Sequence, residues 1–230
     1  MTGSFSAELR AATWNHHERA ADSTFLDALV AGKVDRLGYA DMVAQHYFIY
    51  RVLEEAAGVM GADRVVNGIV SPSLTRLPAI EIDLGALLGE DWAQQVRPNG
   101  ATRAYCQRLR DTCFTWPGGF VAHHYTRYLG DMSGGQYLRR RVAGALQLSG
   151  DVGTRFYVFD DIADVEAFKV AYRRRLDTMP WDEAERAAIV NEVTRAYQLN
   201  IDVLTELGRT HVHAESAVPR SRSEDSAGPH

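Results

Sequence analysis

Several scarcities in this chain each remove a class of function. Its 230 residues include two cysteines, Cys106 and Cys113. No C-x-x-C pair exists, so no dithiol redox motif is encoded. Two thiols seven residues apart in a helical stretch read as reduced, buried residues of a cytoplasmic protein. Lysine is almost missing: Lys33 and Lys169 are the only lysines among 25 basic residues, and the net charge is −5. That balance argues against a general nucleic-acid binder, which is usually basic. No apolar run approaches the roughly 20 residues that cross a bilayer, so no membrane insertion is expected. The opening MTGSFSAELRAATWNHHER lacks the apolar segment of a signal peptide.

Motifs are scarce too. No glutamate is followed three residues later by histidine, as a di-iron carboxylate bundle requires. His17-Glu18 is followed by Arg19-Ala20-Ala21, so H-E-x-x-H is absent. There is no G-x-S-x-G elbow, which leaves Ser133 without the turn a hydrolase nucleophile needs.

What is present is helix. Apolar and aromatic residues recur every three or four positions over most of the chain, from Ser6 as a cap with Glu8 in the first turn. Breaks are expected at Asp22-Ser23-Thr24, at Gly32-Lys33 before an Asp35 cap, and at Ser71-Pro72. Others fall at Pro98-Asn99-Gly100, Trp116-Pro117-Gly118-Gly119 and Met179-Pro180-Trp181, the last before an Asp182 cap. RFYVFDDI, residues 155–162, is the one run that could be extended, and it reads as a connector because no second strand would pair with it. The expectation is all-α: a single domain over 1–208, about seven or eight helices in a bundle. Residues 209–230 turn to Ser, Pro, Arg, Glu and His, and read as a disordered tail.

The stretch FVAHHYTRYLGDMSGGQ, residues 120–136, is the least ordinary helix. Gly130, Gly134 and Gly135 each cost a helix interior roughly 1 kcal/mol against alanine. Either the helix ends there in a glycine cap, or the missing Cβ atoms let something large and flat lie against the backbone. Arg127 and Asp131, four apart, share a face beside the glycines. Of the eight histidines, His46 reads as a half-buried structural residue. His16 and His17 on the first helix and His123 and His124 in the glycine stretch remain candidates. Arg10 shares a face with His17, and Lys169, Tyr172 and Arg173 share another. A placed histidine, a glycine-relieved helix and scattered cations suit a flat anionic ligand whose metal needs one axial nitrogen, namely haem. Arg139-Arg140-Arg141 and Arg173-Arg174-Arg175 are either docking patches for an acidic electron-transfer partner or exposed helix faces.

Residues 120–136 closely resemble the signature segment of the haem (heme) oxygenases, of the bacterial, biliverdin-producing type. HHERAADSTF (16–25), YRVLEEA (50–56), FKVAYRRRL (168–176) and AYQLNIDVLTEL (196–207) resemble further family segments in the same order. The resemblance implies haem b, at once cofactor and substrate, held between a proximal helix and a kinked, glycine-containing distal helix. It assigns His17 as the metal ligand; His16, about 100 degrees away around the helix, cannot also face the iron. Asp131, Arg127 and Tyr50 are implied as a catalytic network. Arg10, Tyr125, Lys169 and Arg173 would anchor the propionates. Gly130 and Gly134 would lie over the haem, Gly135 would ease the kink, and Tyr197 and Asn200 would close the pocket. Two positions depart from the pattern: Arg10 stands where many relatives have lysine, and Ala21 where a glutamate often supports the ligand histidine. The implied reaction uses O2 and electrons from an external ferredoxin/flavodoxin- or NAD(P)H-dependent reductase, and releases biliverdin, carbon monoxide and ferrous iron. A carrier or sensor that binds haem without degrading it would share the same residues.

Overall fold

The computed structural model describes residues 4–21 and 23–212, with the backbone alone over 15–21. Among the described residues the elements are nine α-helices and three short 3-10 turns, with no strand. In chain order they are α1 (Phe5–Ala21), α2 (Thr24–Val30), α3 (Arg36–Met60), α4 (Leu77–Leu88) and α5 (Trp92–Gln95). Then follow α6 (Gly100–Cys113), α7 (Pro117–Ala145), α8 (Val165–Thr178) and α9 (Glu183–His211). The 3-10 turns lie at Asn67–Ile69, Pro72–Leu74 and Arg155–Tyr157.

Short polar side chains start many of the helices. Ser23, Asp35, Asn99, Asp164 and Asp182 each accept from the backbone N–H three residues on, at 2.7–3.1 Å. Each such cap contributes about 1 kcal/mol by satisfying a donor the helix leaves open. The cap expected at Ser6 is not one. The helix begins a residue earlier, at Phe5, and the Ser6 N–H and hydroxyl instead donate to Asp177 at 2.7 and 3.1 Å. That pairing ties α1 to the end of α8.

α7 is the central element, packed against α9, α6, α3 and α2. Its first half is buried all round: Phe120, Val121, His124, Tyr125 and Tyr128 are all inside. The break expected at residues 116–119 is present but falls slightly earlier: α6 ends at Cys113, and Pro117 opens α7 at a position where its missing N–H has no intrahelical role, so Gly118 and Gly119 are already helical. Trp116 Nε1 donates to Glu185 Oε1 at 2.6 Å, which pins the start of α7 to the start of α9. The glycine-cap alternative also fails: α7 runs unbroken through Gly130, Gly134 and Gly135 to Ala145.

The aromatic run 155–162 is a connector between α7 and α8, as expected, and its first three residues, Arg155–Tyr157, form a 3-10 turn. Asp83 on α4 holds it by accepting from the backbone N–H groups of Arg155 and Phe156 at 2.9 and 2.8 Å. Arg76 donates to the carbonyls of Phe156 and Val158 and lies 4.0 Å over the Phe159 ring. α9 continues to His211, three residues into the stretch whose composition reads as tail. There His211 Nε2 pairs with Asp41 on α3 at 2.8 Å. Residues 213–230 lie outside the described residues.

Candidate active site

Beyond Leu129 the surroundings of α7 open. A cleft runs along its second half in two lobes of about 370 and 330 Å³, with Gly130 and Tyr197 lining both. A Cβ built on Gly130 or Gly134 would meet nothing within 4 Å, whereas one on Gly135 would come within 2.8 Å of the Tyr157 ring. The first two glycines therefore expose bare backbone to the cleft. Gly135 also lines the cleft, and its missing Cβ lets the 155–157 turn lie against α7, where Gln136 Nε2 donates to the Tyr157 carbonyl at 2.6 Å.

One lobe carries a polar network from three helices. The Tyr50 hydroxyl on α3 donates to Asp131 Oδ2 on α7. Arg127, one turn before Asp131, lies 5.0 Å over the Tyr50 ring and donates to Asn200 Oδ1 on α9 at 2.8 Å. Burial raises the pKa of the Asp131 carboxyl against the opposing pull of Arg127, Tyr50 and Arg76. Burial also opposes the Arg127 charge, but Tyr50, Asp131 and Tyr105 more than compensate. Arg127 Nε and Nη2 and His46 Nδ1 are buried with no hydrogen-bond partner. Such groups each cost about 1–3 kcal/mol when left unsatisfied, so a cavity they border calls for something that hydrogen-bonds to them.

The other lobe has a cationic rim. Lys169 on α8 is only 6 % exposed, donates to Ser133 Oγ at 3.3 Å and pairs with Glu166 Oε1 at 2.6 Å. Glu166 is 80 % exposed, so this pair is weak and easily exchanged for another anion. Arg10 on α1, with its guanidinium 5.7 Å over Trp14, and Arg173 on α8 border the same lobe. Burial raises the Tyr125 phenol's pKa, while Arg173 and Arg10 pull it down. Arg10, Tyr125, Lys169 and Arg173 thus converge on one lobe, and Arg127, Asp131, Gly134 and Asn200 on the other, where Tyr50 reaches the network through Asp131. The side chains of His16, His17, Ala21 and Asp22 lie outside the described residues.

Known proteins fit this arrangement. The family model described as heme oxygenase matches residues 3–206. The chain belongs to the heme oxygenase family. It is 35 % identical over 212 residues to a heme oxygenase of the alga Porphyra purpurea, covering 92 % of this chain and 90 % of the relative. Heme oxygenase 1 of the cyanobacterium Synechocystis is 36 % identical over 207 residues, 90 % of this chain and 86 % of that one. The crystal structure of the Synechocystis protein in complex with heme superposes with a TM-score of 0.86 at 35 % identity, over 90 % of this chain and 94 % of that one. A heme oxygenase of Leptospira interrogans gives a TM-score of 0.83 at 34 % identity, over 89 % of this chain and the whole of that one.

The two histidines in this family member's glycine stretch are not in the cleft. His123 Nε2 meets Glu192 Oε1 at 2.9 Å, and His124 Nδ1 meets the Tyr172 hydroxyl at 2.8 Å. Burial pushes the His124 pKa down to about 3, so the ring is neutral. Reasoning from sequence missed Ser133 as the partner of Lys169, and it read His46 as a structural residue without placing it at the cleft. The first has no local signal. The second had one, since His46 and Tyr50 are four apart and share a face of α3.

Proposed function

We propose that the cleft holds haem b and that the chain cleaves it oxidatively to biliverdin, carbon monoxide and ferrous iron, using O2 and electrons from an external reductase. The observation that carries this reading is the pairing of a bare glycine face, Gly130 and Gly134, with a buried network that still has unmatched donors. A porphyrin is the flat group such a face admits, and its carboxylates suit the rim of Arg10, Tyr125, Lys169 and Arg173. His17, one α-helix face with Arg10, would supply the axial nitrogen. Bound haem would supply the iron at which O2 is reduced and the ring that is opened.

The chain's own residues would do the rest. The rim would hold the propionates and so fix the ring's rotation, which makes the site of cleavage a matter of position. Asp131, its proton affinity raised by burial, would hold a proton near the cavity and pass it through water. Tyr50 and Arg127 would orient that carboxylate. Among the described residues nothing lies within 4 Å of a Cβ placed on Gly130 or Gly134, so proton supply would stay close but indirect. Cys106 and Cys113 are both buried and free, which suits a cytoplasmic enzyme. Among the described residues no helix is long and apolar enough to cross a membrane.

Titrating the purified protein with haem, then adding O2 and a reductase with its electron donor, tests the reading. A histidine-type Soret band should form, then decay with biliverdin recovered by chromatography and carbon monoxide in the headspace. A stable Soret band under turnover conditions would make the protein a carrier or sensor. No Soret band would remove haem from the account.

A further inference from the structure

Among the described residues one imidazole borders the cleft, and the reading above leaves it idle. His46 lies on α3 one turn before Tyr50, only 8 % exposed, and lines the same lobe as Arg127, Asp131 and Gly134. Its Nδ1 is buried without a partner. The ring's one close aromatic neighbour is Phe156, 5.2 Å away at an interplanar angle of 31°, which offers packing and no hydrogen bond. A leucine would fill such a place without stranding a nitrogen.

Across the lobe stands the complementary defect. Arg127 has two buried nitrogens, Nε and Nη2, without acceptors. Histidine and arginine each sit four residues before a member of the Tyr50–Asp131 pair, on facing helices, so the two hydrogen-bonded residues are extended by two unmatched ones. Arginine has only donors, and a neutral imidazole has one donor and one acceptor. A single water can accept from Arg127 and donate to the imidazole, which satisfies both.

We infer that His46 is a positioning residue of the haem cavity: with Arg127 it holds a buried water that joins the Tyr50–Asp131 pair to the cavity. The inference rests on the haem reading. Burial, and secondarily the charge of Arg127, hold the His46 pKa well below its usual value, which keeps the ring neutral and leaves one nitrogen free to accept. The titratable groups that border this lobe with it are Asp27 of α2, Arg127, Asp131 and Tyr137 of α7, Tyr157 of the 3-10 turn and Tyr197 of α9. Among the described residues no further imidazole borders it.

The test compares the haem-loaded full chain with His46→Leu and His46→Gln. The leucine variant should bind haem with an unchanged Soret titration, and its haem-free form should melt at the same temperature or higher, since a stranded nitrogen is gone. The pH midpoint of the ferric complex's visible-spectrum change should shift, and the biliverdin recovered per haem should fall several-fold. Glutamine, which keeps an acceptor and a donor, should return the midpoint toward that of the parent. If both variants keep the parent's midpoint and yield, the imidazole is packing and the inference is overturned. Should His46→Leu fail to fold, His46→Met against His46→Gln makes the same comparison. Absence of a Soret band in the parent would overturn the haem reading, and this inference with it.

Discussion

Two buried clusters of arginine, histidine and acid lie on α7, one on each half, and their residue types are nearly the same. In the first half His123 Nε2 meets Glu192 Oε1 of α9, and Arg108 of α6 donates to both Glu192 oxygens. Both Glu192 oxygens are occupied, and the carboxyl pKa is held down to about 2 because the bonds to His123 and Arg108 outweigh burial. In the second half Arg127 and Asp131 face Tyr50 and His46, three buried nitrogens go unmatched, and the Asp131 pKa is raised. The first cluster joins three helices, and none of the cleft's lobes reaches it. The second borders open space. The first cluster also leaves one nitrogen unmatched, His123 Nδ1, against three in the second. The same chemistry is structural where no cavity reaches it and available for work where it borders the cleft. Composition does not distinguish them; access to open space, with more donors left unmatched there, does.

Breaking the closed cluster should have the largest effect on the fold. Glu192→Ala strands a buried histidine and an arginine whose side chain is 39 % exposed, and is expected to cost about 3 kcal/mol or somewhat less, the low end for a broken buried pair. Denaturant unfolding would register it, while the biliverdin yield of the folded fraction should stay near that of the parent. Next comes Gly135→Ala, whose added methyl meets the Tyr157 ring and is expected to cost about 1–3 kcal/mol by overpacking. Gly134→Ala sharpens the contrast within one helix turn. Nothing stands in its way, so thermal stability should rise by up to about 1 kcal/mol, yet haem affinity should drop because the methyl occupies the cleft.

A smaller effect separates two buried carboxyls by pH. The bonds from His123 and Arg108 hold the Glu192 carboxyl down to about 2, below the ordinary 4.5 of a free glutamate. Its stabilisation is therefore complete above 4.5 and lost as pH falls toward 2. Asp83 runs the other way: burial raises it to about 6 from 3.8, so its ionisation weakens the fold as pH rises through that interval. Chemical denaturation across pH 2–7 should give a flatter acid limb for Glu192→Gln and no decline between pH 4 and 6 for Asp83→Asn.

Local features were readable from the sequence and distant ones were not. The Asp35 and Asp182 caps could be placed because a cap speaks to a backbone three residues away. The long helices and the Arg127–Asp131 and Lys169–Arg173 faces were readable for the same reason, since helical spacing is itself local. Gly135 could not be separated from Gly130 and Gly134, because what distinguishes it is Tyr157, brought there by a turn that Asp83 holds from α4. His123 and His124 looked as available as any histidine until Glu192 and Tyr172 were seen to fill them. His46 looked structural because nothing in its own helix reveals an unmatched arginine on the facing one.

The account rests most directly on Asp131. Single-turnover breakdown of one equivalent of haem by Asp131→Ala, with biliverdin quantified by chromatography, is the measurement that tests it. An intact Soret titration with biliverdin reduced by about two orders of magnitude in rate, the scale of a lost proton-transfer group, is the predicted result. Biliverdin formed at the parent's rate and yield would contradict it.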